Sequence, residues 1–144
     1  MFANYMILPE FRLILECCKG EASVGDAIKM KKNELLDILY SPEYNIIVDF
    51  QEFEAKVDEE TNESILRFFR FLKSIDIRSK IAFLTAEPHQ VVVSMILKEL
   101  IKYGDTFKIE VFSTVEAAVR YLGYPVENLD LINKKIRELN NNTL

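Results

Sequence analysis

The sequence predicts an α/β domain: a mostly parallel sheet with an antiparallel strand at its N-terminal edge and helices on its faces. Three observations carry this. Short apolar runs alternate with longer segments whose apolar residues recur at helical spacing, in the order β, β, α, β, α, β, α, β, α, α. The run Tyr44–Phe50 holds the branched aliphatics Ile46, Ile47 and Val48 in succession, without alternation, as in a strand covered on both faces. Single helices between successive strands also demand crossover connections, which join parallel neighbours.

The elements follow in order. Tyr5–Leu8 is a short strand ended by a turn at Pro9-Glu10. Phe11–Cys18 is a second strand, alternating Phe11, Leu13, Leu15 and Cys17 with Arg12, Ile14, Glu16 and Cys18, which predicts a position near the edge with one wetter face. The two are close enough to pair as a hairpin. Ser23 and Asp26 have capping-box spacing and open a helix from Val24 to Tyr40. Its apolar stripe reads Ala27, Ile28, Leu35, Ile38 and Leu39, with Lys29, Lys31, Lys32, Asn33 and Asp37 on the wet side. Pro42 stops it, because proline disfavours helical geometry in the residue before it.

After the strand through Ile46–Val48 comes a polar loop, then a helix from about Asp58–Asn62 to Ser74 with Ile65, Phe68, Phe69, Leu72 and Ile75 inward. Lys80–Thr85 is a buried strand. Pro88 opens a third helix reaching Tyr103 and closed by Gly104, apolar over a wide arc: Val92, Val93, Ile96, Leu97, Leu100 and Ile101. Thr106–Phe112 is the last strand. Ser113 to Glu116 reads as a second capping box before a short helix to Leu122. Asn128–Leu139 is amphipathic, and Asn140-Asn141-Asn142 is expected to fray.

Composition narrows the function. A chain of 144 residues, 49% hydrophobic and 28% charged, suits one soluble globular domain. A net charge of −5 argues against nucleic acid or an anionic membrane as a main partner. No apolar run approaches a membrane-spanning length and no secretory signal is visible, so a cytoplasmic location is expected. The adjacent Cys17 and Cys18 would point to opposite faces of a strand, which disfavours a disulfide and fits reduced thiols. The four glycines are too dispersed for a phosphate-cradling loop or a dinucleotide fingerprint. One histidine, His89, rules out a histidine zinc cluster, and the first turn of the third helix should leave it exposed. No cofactor and no catalytic constellation is therefore expected.

One charge feature stands out. Asp49, Glu52, Glu54, Asp58, Glu59, Glu60 and Glu63 cluster with Lys56 as the only counter-charge. A solvated loop favouring the next helix N-terminus is the plainest reading. An acidic docking surface for a basic partner, or oxygen ligands for Mg²⁺ or Ca²⁺, are the others. Asp49 stands at a strand end, where an open α/β sheet places its crevice, so Asp49, Glu52 and Thr85 form a candidate strand-end site. The wide third helix offers a surface for a homodimer, with core packing as its default role.

The segments Cys18–Asp26, Asn45–Phe50, Lys80–Thr85 and Val111–Leu122 together resemble the SpoIIAA-like members of the STAS (anti-anti-sigma factor) superfamily. The last resembles a close of the form F-x-x-x-E-A-x-x-W/Y-L, with three residues instead of two between Ala117 and Tyr121. The similarity spans about residues 4 to 124. It implies a SpoIIAA-like α/β domain over 1–124, with 125–144 an amphipathic helix and tail on or near that domain. In those proteins a serine in an Asp-Ser-Ser-Gly turn is phosphorylated by a partner kinase. Here the corresponding stretch reads Val57-Asp58-Glu59-Glu60-Thr61, so the phosphoswitch does not carry over, and Asp58, Glu59 and Glu60 become the implied partner-binding residues. Asp49 and Thr85-Ala86 also resemble the phosphoacceptor and switch threonine of a response-regulator receiver. However, Cys17-Cys18 replaces its acidic pair and Phe112-Ser113 its lysine. The resulting expectation is a non-enzymatic STAS-like regulatory or binding module, working through protein contact or a small bound ligand. The alternative is a metal-assisted or receiver-like phosphoacceptor activity centred on Asp49.

Overall fold

A computed structural model describes residues 2–54, 59–101 and 107–143, with the side chains of 59–61 and 101 outside that description. Five strands form one sheet: β1 (Ala3–Leu8), β2 (Leu13–Cys18), β3 (Asn45–Asp49), β4 (Lys80–Leu84) and β5 (Lys108–Phe112). They lie in the spatial order 1-2-3-4-5. The β1–β2 pair is antiparallel and every later pair is parallel. The fold is therefore α/β with a mixed sheet and an antiparallel N-terminal edge, as the alternation of elements required. A short 3₁₀ turn, Pro9–Phe11, makes the hairpin. Arg12 closes it at φ 51°, its N–H donating to the Pro9 carbonyl at 3.0 Å.

Helices α1 (Val24–Leu36), α2 (Glu59–Lys73) and α3 (Pro88–Ile101) are the three crossovers. Each joins a strand to its immediate parallel neighbour on the same side, and crossovers are right-handed. All three must then fall on one face. They bury Met30, Ile65, Leu72, Val93 and Leu97 against Ile14, Ile46, Val48, Ile81, Phe83 and Ile109. The opposite face is left for α4 (Val115–Tyr121) and α5 (Leu129–Asn141). These bring Ala118, Val119, Leu122, Ile132, Ile136 and Leu139 onto Leu13, Leu15, Ile47, Ala82 and Leu84. Both faces are covered, which explains the unalternating apolar run in β3.

Several expectations change. β2 starts at Leu13, and all six of its residues are buried, so it has no wet face. Being second in the sheet, it has neighbours on both edges and helices above and below. The first helix stops at Leu36, not at Tyr40, because Asp37 is diverted. Its Oδ2 accepts from the Tyr5 hydroxyl at 2.9 Å and its Oδ1 from the Leu39 N–H at 3.0 Å, a local pairing that competes with helix. Ile38 and Leu36, the first assigned to the buried stripe, are 94% and 84% exposed. The N-cap of α4 is Thr114, whose hydroxyl accepts from Ala117 N–H, in place of Ser113. The asparagine tail is ordered: helix continues to Asn141, and Thr143 is buried with its hydroxyl donating to Leu139 O at 2.7 Å. On the outer side of α3, Val91, Val92 and Met95 are exposed. Tyr103, Gly104 and Thr106 lie outside the described residues. Among the described residues no helix is long and apolar enough to cross a membrane.

The early end of α1 yields a stability test. Ile38→Ser should change unfolding free energy by no more than about 0.5 kcal/mol, as for an exposed position. Met30→Ala, on the side that does pack, should cost about 2–5 kcal/mol. Urea denaturation of the two variants checks both, and a comparable loss for Ile38→Ser would return it to the core.

Candidate functional site

The strand ends carry two different sites, one on each face. On the α4–α5 face, Asp49 closes β3. Odd positions of this strand face that way, so Asp49 follows Ile47 toward α5. Its Oδ1 accepts the Gln51 N–H at 3.0 Å and its Oδ2 accepts from Asn140 Nδ2 at 3.4 Å. Asn140 is itself held, since Lys19 Nζ donates to its Oδ1 at 3.2 Å and to its carbonyl at 3.3 Å. Lys19 also pairs with Glu52 at 3.3 Å. Burial is the main influence pushing the Asp49 carboxyl up, opposed by those two hydrogen bonds. Asp49 and Glu52 thus share a groove of about 280 Å³ bounded by Arg137, Asn140 and Asn141. Thr85 is not part of it: it is buried, and its hydroxyl donates to Phe112 O at 3.4 Å. The expected strand-end site is therefore split, and its carboxylate serves to hold α5.

Of the acidic turn, Asp58 lies outside the described residues. Glu59 and Glu60 open α2, and their side chains lie outside the description. His89 is half-buried rather than exposed, with Nε2 at 3.2 Å from Phe53 O. Among the described residues no group of three His, Cys, Asp or Glu side chains is placed to hold a metal ion.

On the other face, between the sheet and α1–α3, is a cavity of about 440 Å³. That is within the range of pockets that take small organic molecules. Its floor is Val48 of β3, Phe50 just after that strand and Phe83 of β4. Its walls are Ala27 and Met30 of α1, Ile65 and Phe68 of α2, and Val93 and Leu97 of α3. The loop after β3 forms one lip and is pinned twice. Gly20 donates to Glu52 O and accepts from Glu54 N–H, both at 2.8 Å. Gln90, buried in the first turn of α3, donates from Nε2 to Gln51 O at 3.1 Å and Phe53 O at 3.0 Å. Its Oε1 accepts from the N–H groups of Ala86 and Glu87. The cavity wall at Phe53 is thereby fixed without a ligand.

Behind the cavity lies a buried ionic cluster. Glu16 of β2 is 6% exposed, while Lys31 and Glu34 of α1 are 3% and 0% exposed. Lys31 Nζ donates to Glu16 Oε1 in a short contact and to Glu34 Oε2 at 2.7 Å. Burial works to discharge Lys31, but the two carboxylates outweigh it and hold the ammonium charged. Glu34 goes the opposite way: burial, then repulsion from Glu16, pushes its carboxyl far above the usual carboxylate range, with Lys31 only partly opposing. Among the described residues its Oε1 has no hydrogen-bond partner and is buried, a costly arrangement for an ionised oxygen. At neutral pH the charged ammonium of Lys31 therefore faces a protonated Glu34.

The apolar-stripe reading missed these residues because it assigned Lys31 to the wet side of the helix. A usable signal existed: Ala27, Met30, Lys31 and Glu34 share i, i+3, i+4, i+7 spacing, and Glu16 interrupts an otherwise apolar strand. Nucleophilic chemistry finds no support here. Cys18, in the cavity wall, has its thiol driven strongly upward by burial and then by Glu16. Cys17, on the opposite face, is pushed up to about 12 by burial and then Asp49. Both are free and buried, and at neutral pH both remain thiols, not the reactive thiolate.

Lys31→Met should cost about 3–5 kcal/mol by removing the buried cation that both Glu16 and Glu34 bond. Glu34→Gln should cost less than about 1.5 kcal/mol, because the amide stands in for a protonated acid. Folding of the native chain takes up a proton at Glu34, so its contribution is present at low pH and declines as pH rises toward the raised carboxyl value. Urea unfolding between about pH 6 and about pH 9 should show that decline, and Glu34→Gln should flatten it. An identical slope in the variant would remove the proton from Glu34. On the other face, Asn140→Asp places a second carboxylate against Asp49. It should lose about 1–3 kcal/mol near neutral pH and recover part of that in acid, read by the same titration.

No protein-family model matches the chain, and neither does any curated protein or solved structure.

Proposed function

We propose that this chain is a non-enzymatic, STAS-like regulatory module that works by holding a small apolar ligand in the cavity beneath α1–α3. The observation that carries the reading is the cavity itself. It measures about 440 Å³, has an aromatic and aliphatic lining, and has a lip already pinned by Gly20 and Gln90. A preformed apolar pocket with few polar groups is what small-molecule binding requires. The thiol in its wall is held protonated, which favours binding over turnover.

Support for the STAS-like part is architectural. It consists of an α/β fold with an antiparallel first strand, and of the resembling segment Val111–Leu122, which ends β5 and forms α4. The acidic residues Glu59 and Glu60 begin α2, the helix that contributes Ile65 and Phe68 to the cavity. A protein partner reading that turn would therefore contact an element the ligand also touches. A phosphoacceptor or metal role for Asp49 draws less support, since each of its oxygens accepts a hydrogen bond and α5 lies over it.

The test uses a neutral fluorescent probe, N-phenyl-1-naphthylamine, titrated into the purified chain. Saturable enhancement with one probe per chain is expected. Ala27→Phe, which fills the cavity from a half-buried helix position, should weaken the probe by about tenfold or more while leaving the melting temperature close to native. Absence of saturable binding, or unchanged binding by a folded Ala27→Phe, overturns the reading.

A further inference from the structure

We propose that ligand binding in the cavity is coupled to the proton on Glu34, so that a filled cavity holds the proton and ionisation of Glu34 loosens the ligand. This rests on the reading of the cavity as a ligand site and adds its regulation. The coupling has a physical route, because the cavity and the buried cluster share a wall. Glu16 lines the cavity, and its Oε1 accepts from Lys31 Nζ. Lys31 and Glu34 stand on the same side of α1 as Ala27 and Met30, which are also cavity wall. Glu34 is 0% exposed, and among the described residues its Oε1 has no hydrogen-bond partner. Its Oε2 accepts from Lys31 at 2.7 Å, a donor it shares with Glu16.

Solvation decides the sign. Unfilled, the cavity admits solvent to the side of Glu16 that lines it. An apolar ligand replaces that solvent with hydrocarbon, and a charge on Glu34 behind it then sits in a medium of lower dielectric. The protonated acid carries no charge and loses little. Filling the cavity therefore strengthens the hold on the proton, and binding takes one up from solvent where Glu34 would otherwise be ionised. Affinity is full while Glu34 is protonated and declines as pH rises through its raised carboxyl value. The surrounding groups are accounted for on each element. Tyr5 of β1 and Tyr40, in the turn after α1, have hydroxyls pushed up by burial, Tyr5 to about 12. Cys18, on the same face of β2, is kept a thiol. Asp37 is bonded to Tyr5, and Asp76 acts on Tyr40. On α2, which packs against α1, Glu63, Arg67, Arg70 and Lys73 are exposed. His89, at the lip beside Phe53 O, is the rival source of a proton.

The experiment titrates N-phenyl-1-naphthylamine, neutral throughout, into the full chain between about pH 7 and about pH 9.5, with circular dichroism following the fold at each pH. Affinity should fall by about threefold or more across that range. Calorimetry near its upper end, in two buffers of different ionisation enthalpy, should show net proton uptake on binding. Glu34→Gln, whose amide has no titrating proton, should bind with pH-independent affinity and no uptake. His89→Gln, which removes the chain's one histidine, should keep both effects. In the native chain the carboxyl carbon resonance of Glu34 should titrate at higher pH with probe bound than without, a reading that needs no variant. A pH-independent affinity without proton uptake, or a fall of equal size in a folded Glu34→Gln, overturns the coupling while the cavity reading stands. Loss of the effect in His89→Gln moves the proton to the lip and overturns it as well. Absence of saturable probe binding at every pH overturns the cavity reading itself.

Discussion

The rest of the structure depends on one constraint: the parallel strands are laid down side by side in chain order. With strand order 1-2-3-4-5 and right-handed crossovers, α1, α2 and α3 have a single face available to them. Three helices then crowd one side of a five-stranded sheet, and the chain must return with α4 and α5 to cover the other. The order never reverses, so no topological switch point forms. The crevice that doubly wound sheets open between diverging strand ends is absent. A cavity forms instead under the helices, lined by residues of α1, α2 and α3 and by Cys18, Val48 and Phe83 of β2, β3 and β4.

The buried cluster of Glu16, Lys31 and Glu34 fixes how α1 sits over that space. An apolar contact would tolerate rotation of the helix, whereas a buried charge cannot leave its partner without losing several kcal/mol. Lys31 is bonded across to the sheet and along its own helix, which sets both azimuth and height of α1. The consequence is visible at the other end of the same helix. With Met30, Lys31 and Glu34 turned inward, Leu36, the last residue of the helix, is turned out. Apolar exposure there is the counterpart of polar burial one turn earlier.

The two strand-end regions divide the labour of the fold. Around Asp49 the polar groups find partners in one another: Lys19, Glu52, Asn140 and the Gln51 amide close the groove and tie the last helix to the sheet. Beneath α1–α3 the lining is apolar and the polar groups are gathered behind and at the rim. A network satisfied internally stabilises structure, and a preformed apolar space does not satisfy itself. That contrast is why the second region, and not the carboxylate at the end of β3, carries the proposed function.

From the sequence alone came the architecture and the limits on chemistry. Alternating periodicities and proline and glycine punctuation were enough for the element order and the antiparallel edge, because those signals are local. The lack of glycine loops and of histidine and cysteine sets is likewise a matter of composition. Placing Lys31 on the wet side follows from treating charge as exposed, a rule that fails where a partner arrives from a strand fifteen residues earlier. The hydrogen-bond partner of Asp49 was out of view for a related reason: Asn140 reaches it from ninety-one residues away. Periodicity reports which residues share a face, and that information was present for Ala27, Met30, Lys31 and Glu34. Which face turns inward is an energetic decision among groups distant in sequence. It was made only when β2 and α1 came together and one lysine met two carboxylates out of reach of water.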